Sequence, residues 1–140
     1  MPAMTKRFRG SRRGLARASA RARAFEQLVD RALASIPSPF RESLSEVAIV
    51  IEDWPSDEQL EENGLDQDDA LYGLYEGVPR TEWAADWAIV PNRITLFRQP
   101  LEEDFENPAE LEAEVRTTVI HELAHHLGID DERLDELGVG

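Results

Sequence analysis

The only three histidines of this 140-residue chain fall at positions 121, 125 and 126. They stand in the run His121-Glu122-Leu123-Ala124-His125-His126-Leu127-Gly128-Ile129-Asp130-Asp131. On a helix, residues four apart lie about 40° from each other, so His121 and His125 share one face, one turn apart. Two imidazoles so placed can hold a divalent metal at about 2.0–2.1 Å. Glu122 sits about 100° further round, beside such a metal and not on it, where a general base for metal-bound water has to stand. A third protein ligand is needed, and the chain has no cysteine to supply it. Gly128 lets the backbone leave the helix and turn back at once, which brings Asp131 within reach; Asp130 is its rival, and Glu132 a weaker one. Only 15 residues follow His125, too few for the usual plan with a glutamate on a separate downstream helix. A closed, structural zinc site would need four ligands and so two carboxylates here. His126 points about 100° away from His125, toward the Val119 side, and is expected to be packed or hydrogen-bonded without sharing the metal.

These residues need a helix, and the sequence marks one. Asn107 can cap it, Pro108 suits its first position, and Glu110 and Glu112 complement the positive end. Leu111, Val115, Val119, Leu123 and Leu127 recur every four residues as a core stripe, and Gly128 is a left-handed stop. Upstream, Phe25, Leu28, Val29, Leu33 and Ile36 give a helical period over 21–36, ended by Pro37 and Pro39. Val47-Ala48-Ile49-Val50-Ile51 reads as a buried strand, residues 70–76 as a second and residues 93–97 as a third. In the last of these, Ile94 and Leu96 against Thr95 and Phe97 suggest a sheet with one covered face. Residues 53–69 read as an acidic, irregular connection, and Leu134 and Leu137 anchor a short closing helix.

The net charge of −14 is unevenly spread. Residues 1–24 hold eight basic residues and no acid, whereas the seven basic and 29 acidic residues of 25–140 leave −22 there. The first segment is read as a disordered basic arm and residues 25–140 as one domain, a size that buries a single modest core. The acidic body repels phosphate backbones, so nucleic-acid contact is confined to the arm. No apolar run approaches the roughly 18–20 residues that span a bilayer. Arg17, Arg21 and Arg23 interrupt every apolar stretch a secretory signal would need, so a cytoplasmic protein is expected; the acid-free start also fits a mitochondrial-type transit peptide.

The stretch TTVIHELAHHLGIDDERLDELG resembles the minimal zincin-like metallopeptidases, of the Asp-zincin type with H-E-x-x-H-x-x-G-x-x-D. The resemblance extends to GLYEGVPRTEW (73–83) and PNRITLFRQPL (91–101) and covers the chain from about residue 22. It implies one zinc ion held by His121, His125 and Asp131, with Glu122 as catalytic base. The expected fold is α+β and zincin-like: a small mixed sheet of three or four strands over the metal-binding helix, with the N-terminal helix behind. The expected activity is zinc-dependent hydrolysis of peptide bonds in a peptide or unfolded protein; the alternative is a zincin fold that binds zinc or peptide without turnover. An extended substrate would add to the strand at 93–97 if that strand is an exposed edge. Tyr72, Tyr75 and Arg133 are candidate oxyanion donors.

Overall fold

The computed structural model describes residues 12–77 and 92–138, with side chains from residue 19 onward. Those parts of the basic arm and of the upstream resemblance that fall in 1–11 and 78–91 lie outside the described residues. The chain opens with α1 (Arg12–Ala34), α2 (Phe40–Ser43) and a 3-10 turn at Leu44–Glu46. Then follow β1 (Ala48–Glu52), α3 (Asp57–Glu62), β2 (Gly73–Glu76) and β3 (Arg93–Phe97). It ends with α4 (Arg98–Asp104), α5 (Pro108–Leu127) and α6 (Asp131–Glu136). The result is α+β, with a small three-stranded mixed sheet among helices.

Helix α1 starts at Arg12, well ahead of Arg21, so residues 12–20 extend upstream the helix read over 21–36. Their composition explains this: alanine and arginine are strong helix formers, and the apolar face that begins at Phe25 gives the helix something to grow from. That face buries Phe25, Leu28, Val29 and Ala32 against α5, and Ile36 closes it. Arg31 Nε donates to Glu112 on α5 at 2.9 Å across the exposed rim of this contact.

The strands order as β1-β3-β2. β3 is parallel to β1 (Ile49 opposite Ile94, Ile51 opposite Leu96) and antiparallel to β2 (Gly73 opposite Leu96, Tyr75 opposite Ile94). The condition set for substrate addition at 93–97, an exposed edge, is therefore not met, and the expected single covered face is corrected. β3 is the central strand, paired on both sides, and Ile94, Thr95, Leu96 and Phe97 are all buried. Thr95 mimicked an outward position in the sequence, but its hydroxyl is buried without a hydrogen-bond partner among the described residues.

Pro100 ends β3 in an unexpected way, inside the first turn of α4, where its missing N–H costs nothing. Arg98, at the start of this helix, is buried and bonded to Asp53 (2.9 Å) and Glu102 (2.7 Å), which ties the end of β1 to α4. Helix α5 has the caps read from the sequence. The Asn107 side chain accepts from the N–H groups of Ala109 and Glu110, and Gly128 is left-handed at φ 74°. The amide of Ile129 then returns to Ala124 O at 2.7 Å and closes the helix.

Candidate active site

Leu111, Val115, Val119 and Leu123 point into the core, as the four-residue stripe requires, and leave the opposite side of α5 to its polar residues. His121 is half-buried there and His125 is more than half exposed. Glu122, between them, has only 13% of its side chain exposed, and its Oε1 lies 3.7 Å from Nδ1 of His125. Burial pushes the Glu122 carboxyl above its ordinary range. The charges of His125 and His121 and the N–H of Tyr75 pull it back down, while Asp131 adds to the rise. The two imidazoles, the glutamate and the aspartate therefore share one neighbourhood.

Beyond Gly128 the turn delivers Asp130 and Asp131 to the same side. His125, Gly128, Ile129, Asp130 and Asp131 line one open cleft of about 400 Å³. The two aspartates play different parts. Asp130 caps α6, its side chain accepting from the N–H of Arg133 at 2.9 Å. Asp131 is the exposed first residue of α6.

Convergence of His121, His125 and Asp131 on one point is not seen. Among the described residues no three His, Asp or Glu side chains are gathered closely enough to hold a metal ion. The donors nonetheless suit a divalent cation in kind: two imidazoles one turn apart and an exposed carboxylate just past a left-handed glycine. His125 and Asp131 both stand at the cleft surface, where side-chain rotation is unhindered by a packed core.

What holds Glu122 was not legible in the sequence. The main-chain N–H of Tyr75 donates to Glu122 Oε1 at 2.7 Å. In an antiparallel pair, hydrogen-bonded and non-hydrogen-bonded residue pairs alternate. Phe97 N donates to Tyr72 O at 2.9 Å, so in this register Leu74 and Glu76 also face β3, while Gly73 and Tyr75 turn their main-chain groups to the outer edge. Among the described residues no strand pairs with that edge. Two positions before Tyr75, Gly73 makes the approach of β2 to α5 possible. A Cβ there would lie 2.5 Å from Thr118 Cγ2, four residues before Glu122.

His126 is fully buried and takes no part in the cleft. Its Nε2 lies 2.7 Å from Glu46 Oε1 and its Nδ1 3.1 Å from the Tyr75 hydroxyl, which is at the same distance from Asn92 Oδ1. With Nε2–H donating to Glu46, Nδ1 is an acceptor, and the single hydroxyl proton of Tyr75 serves either Nδ1 or Asn92 Oδ1, one at a time. The three candidate oxyanion donors are all engaged elsewhere. Tyr75 is held by this network, the Tyr72 hydroxyl by Asp104, and Arg133 Nη1 by Glu136 at 2.7 Å. A further carboxylate that the sequence reading passed over, Glu114, lies two turns before His121. Burial raises its pKa and the charge of His121 lowers it. The i, i+7 spacing to His121 was the available signal.

A small α+β domain in which a helix carries H-E-x-x-H beside the antiparallel edge strand of a mixed sheet has the layout of a zincin. A family model for zincin-like metallopeptidases matches residues 44–140, well over half of the chain, and the chain belongs to that family. Zinc binding and peptide hydrolysis are the general properties that membership implies. Among curated proteins none matches the chain. No described helix is long and apolar enough to cross a membrane.

Proposed function

We propose that this chain is a zinc-dependent peptidase in which His121, His125 and Asp131 hold the cation and Glu122 is the general base. The observation that carries the proposal is the state of Glu122: a largely buried carboxylate with raised proton affinity, set between the two imidazoles and fixed by a main-chain amide. Asp131 is preferred to Asp130 because the latter's side chain is spent on capping α6. When bound, zinc supplies Lewis acidity, which polarises a substrate carbonyl and lets water lose a proton near pH 7. Glu122 Oε1 is occupied by the Tyr75 amide, which leaves Oε2 to take that proton and pass it to the leaving amine. The outward main-chain groups of Gly73 and the Tyr75 carbonyl lie on the edge that holds Glu122, so an extended peptide laid along β2 passes the base. The acidic body favours neutral or basic peptides over acidic ones.

Metal analysis and hydrolysis of an unstructured protein such as casein test this reading together. Glu122→Gln is expected to bind zinc as the wild type does and to lose turnover; His121→Ala, His125→Ala and Asp131→Ala are expected to lose zinc. Equal turnover in Glu122→Gln and wild type refutes the base assignment. The one observation that favours a zincin fold without turnover is the lack of a closed three-donor cluster among the described residues. Wild-type protein that takes up one zinc per chain and cleaves nothing would establish that reading.

A further inference from the structure

We infer that Tyr75 is a positioning residue for Glu122: its main-chain amide fixes the base, and its side chain, anchored by buried His126, fixes the amide. The inference rests on the reading of Glu122 as a base and adds the device that aims it. Three independent contacts meet at this strand. The Tyr75 N–H holds Glu122 Oε1 at 2.7 Å. The Tyr75 hydroxyl, at the other end of the same residue, lies 3.1 Å from both His126 Nδ1 and Asn92 Oδ1, and His126 is tied in turn to Glu46 at 2.7 Å. Gly73 lets β2 close on Thr118.

The spacing makes these contacts one device. Two residues along a strand advance about 6.6 Å and four along a helix about 6 Å, so Gly73 over Thr118 and Tyr75 over Glu122 are in step. His126 is four residues beyond Glu122, and the hydroxyl of Tyr75 reaches it while the amide of the same residue reaches Glu122. One tyrosine thus spans a full turn of the helix that carries the site. A four-residue strand at the rim of a three-stranded sheet has few ladder bonds to fix it. Its amide is held to hydrogen-bond precision by a polar cluster whose key ring is completely buried.

The test uses the metal-free, full-length protein labelled with 15N, followed by kinetics of the zinc-loaded form. In wild type the Tyr75 amide proton is expected downfield and slow to exchange. Glu122→Ala should move it upfield and speed its exchange, while the other β2 amides stay put. Tyr75→Phe keeps the residue-75 amide but removes the anchor. It should shift that amide in the same direction, keep one zinc per chain, and lower kcat about tenfold with KM unchanged. His126→Gln, whose amide can meet only one of the two partners, should reproduce the amide change and serves if Tyr75→Phe does not fold. A Tyr75 amide that is indifferent to Glu122→Ala overturns the inference. So does a Tyr75→Phe or His126→Gln protein with wild-type amide exchange and kcat. If the amide responds but Glu122→Gln hydrolyses as wild type does, the contact stands and the base assignment alone falls.

Discussion

Gly73→Ala is the sharpest probe of how the site is held. Gly73 has no left-handed φ, so alanine meets no backbone strain there and gains about 0.4–1 kcal/mol from a stiffer unfolded chain. Sterics oppose this. The new Cβ would sit 2.5 Å from Thr118 Cγ2 and 3.3 Å from Thr95 O, against 3.4–4 Å for ordinary contact. Thr118 cannot swing clear, since a β-branched side chain on a helix has few rotamers and this one is buried. The strand must therefore retreat from α5 by about 1 Å, at a cost of roughly 1–3 kcal/mol. A retreat of about 1 Å also lengthens the 2.7 Å bond between Tyr75 N–H and Glu122 beyond hydrogen-bonding range. A misplacement of that size lowers kcat by about 10–100-fold. Urea unfolding of the metal-free proteins reads the first effect as a shift in midpoint at constant slope. Thr118→Ala removes the obstructing methyl, so the double variant should recover most of the loss, with a coupling energy of about 1–2 kcal/mol. The contact with Thr95 O is untouched by this change and limits the recovery. Wild-type stability in Gly73→Ala, or a double variant that is merely additive, would refute the close approach as the reason for glycine at this position.

Other consequences follow from single contacts. The hydrogen bond to Asp104, helped by burial, pushes the Tyr72 hydroxyl up from 10.0 to about 12. The stability it contributes is complete below pH 10 and lost as pH rises through about 12, because the folded state keeps its proton after the unfolded one has released it. With only two tyrosines in the chain, ultraviolet titration can follow this group directly, and Asp104→Asn should lower its midpoint; an unmoved midpoint would remove the assigned cause. Asp130→Ala should cost about 1 kcal/mol in unfolding experiments through loss of the α6 cap yet retain zinc, whereas Asp131→Ala should lose zinc. The reverse pattern in metal analysis would exchange their roles. Zinc at about 100 times its dissociation constant should stabilise the wild type by roughly 2.7 kcal/mol, and Asp131→Ala by far less, in thermal melts. Equal shifts for the two proteins would place the metal elsewhere.

What could be read from the sequence was local. Asn107, Pro108 and Gly128 each act within a few residues of their own position, and α5 begins and ends where they put it. The grouping of His121, Glu122 and His125 needs only the pitch of that helix. The place of 93–97 in the sheet needs partners more than 40 residues away, at Ala48–Glu52, and no local pattern names them. The alternation at Thr95 misled for the same reason: a strand with neighbours on both sides and a covered outer face buries even its polar position. The helical start of the arm was hidden by charge, since arginine marks solvent exposure and also favours helix. Glu122 was singled out as the candidate base by its type and phase. Its tether, the amide of Tyr75, carries no side-chain signature at all.

The distinction matters for so small a domain. A three-stranded sheet with strands of four and five residues offers an edge too few ladder bonds to resist fraying, and a site aimed by that edge would fray with it. The chain meets this with two contacts of opposite kind on one strand. Gly73 removes bulk so that β2 can reach α5, and Tyr75 adds a polar anchor so that it stays. Neither is sufficient alone. The close approach without the anchor leaves the amide of Tyr75 free to drift along the helix, and the anchor without the close approach holds a hydroxyl but leaves Glu122 out of reach. Because His126 follows His125 on the same helix, the residue that secures the strand and the residue proposed to hold the metal move as one body. Aim and ligand are thereby fixed to a common frame, whatever the rest of the sheet does.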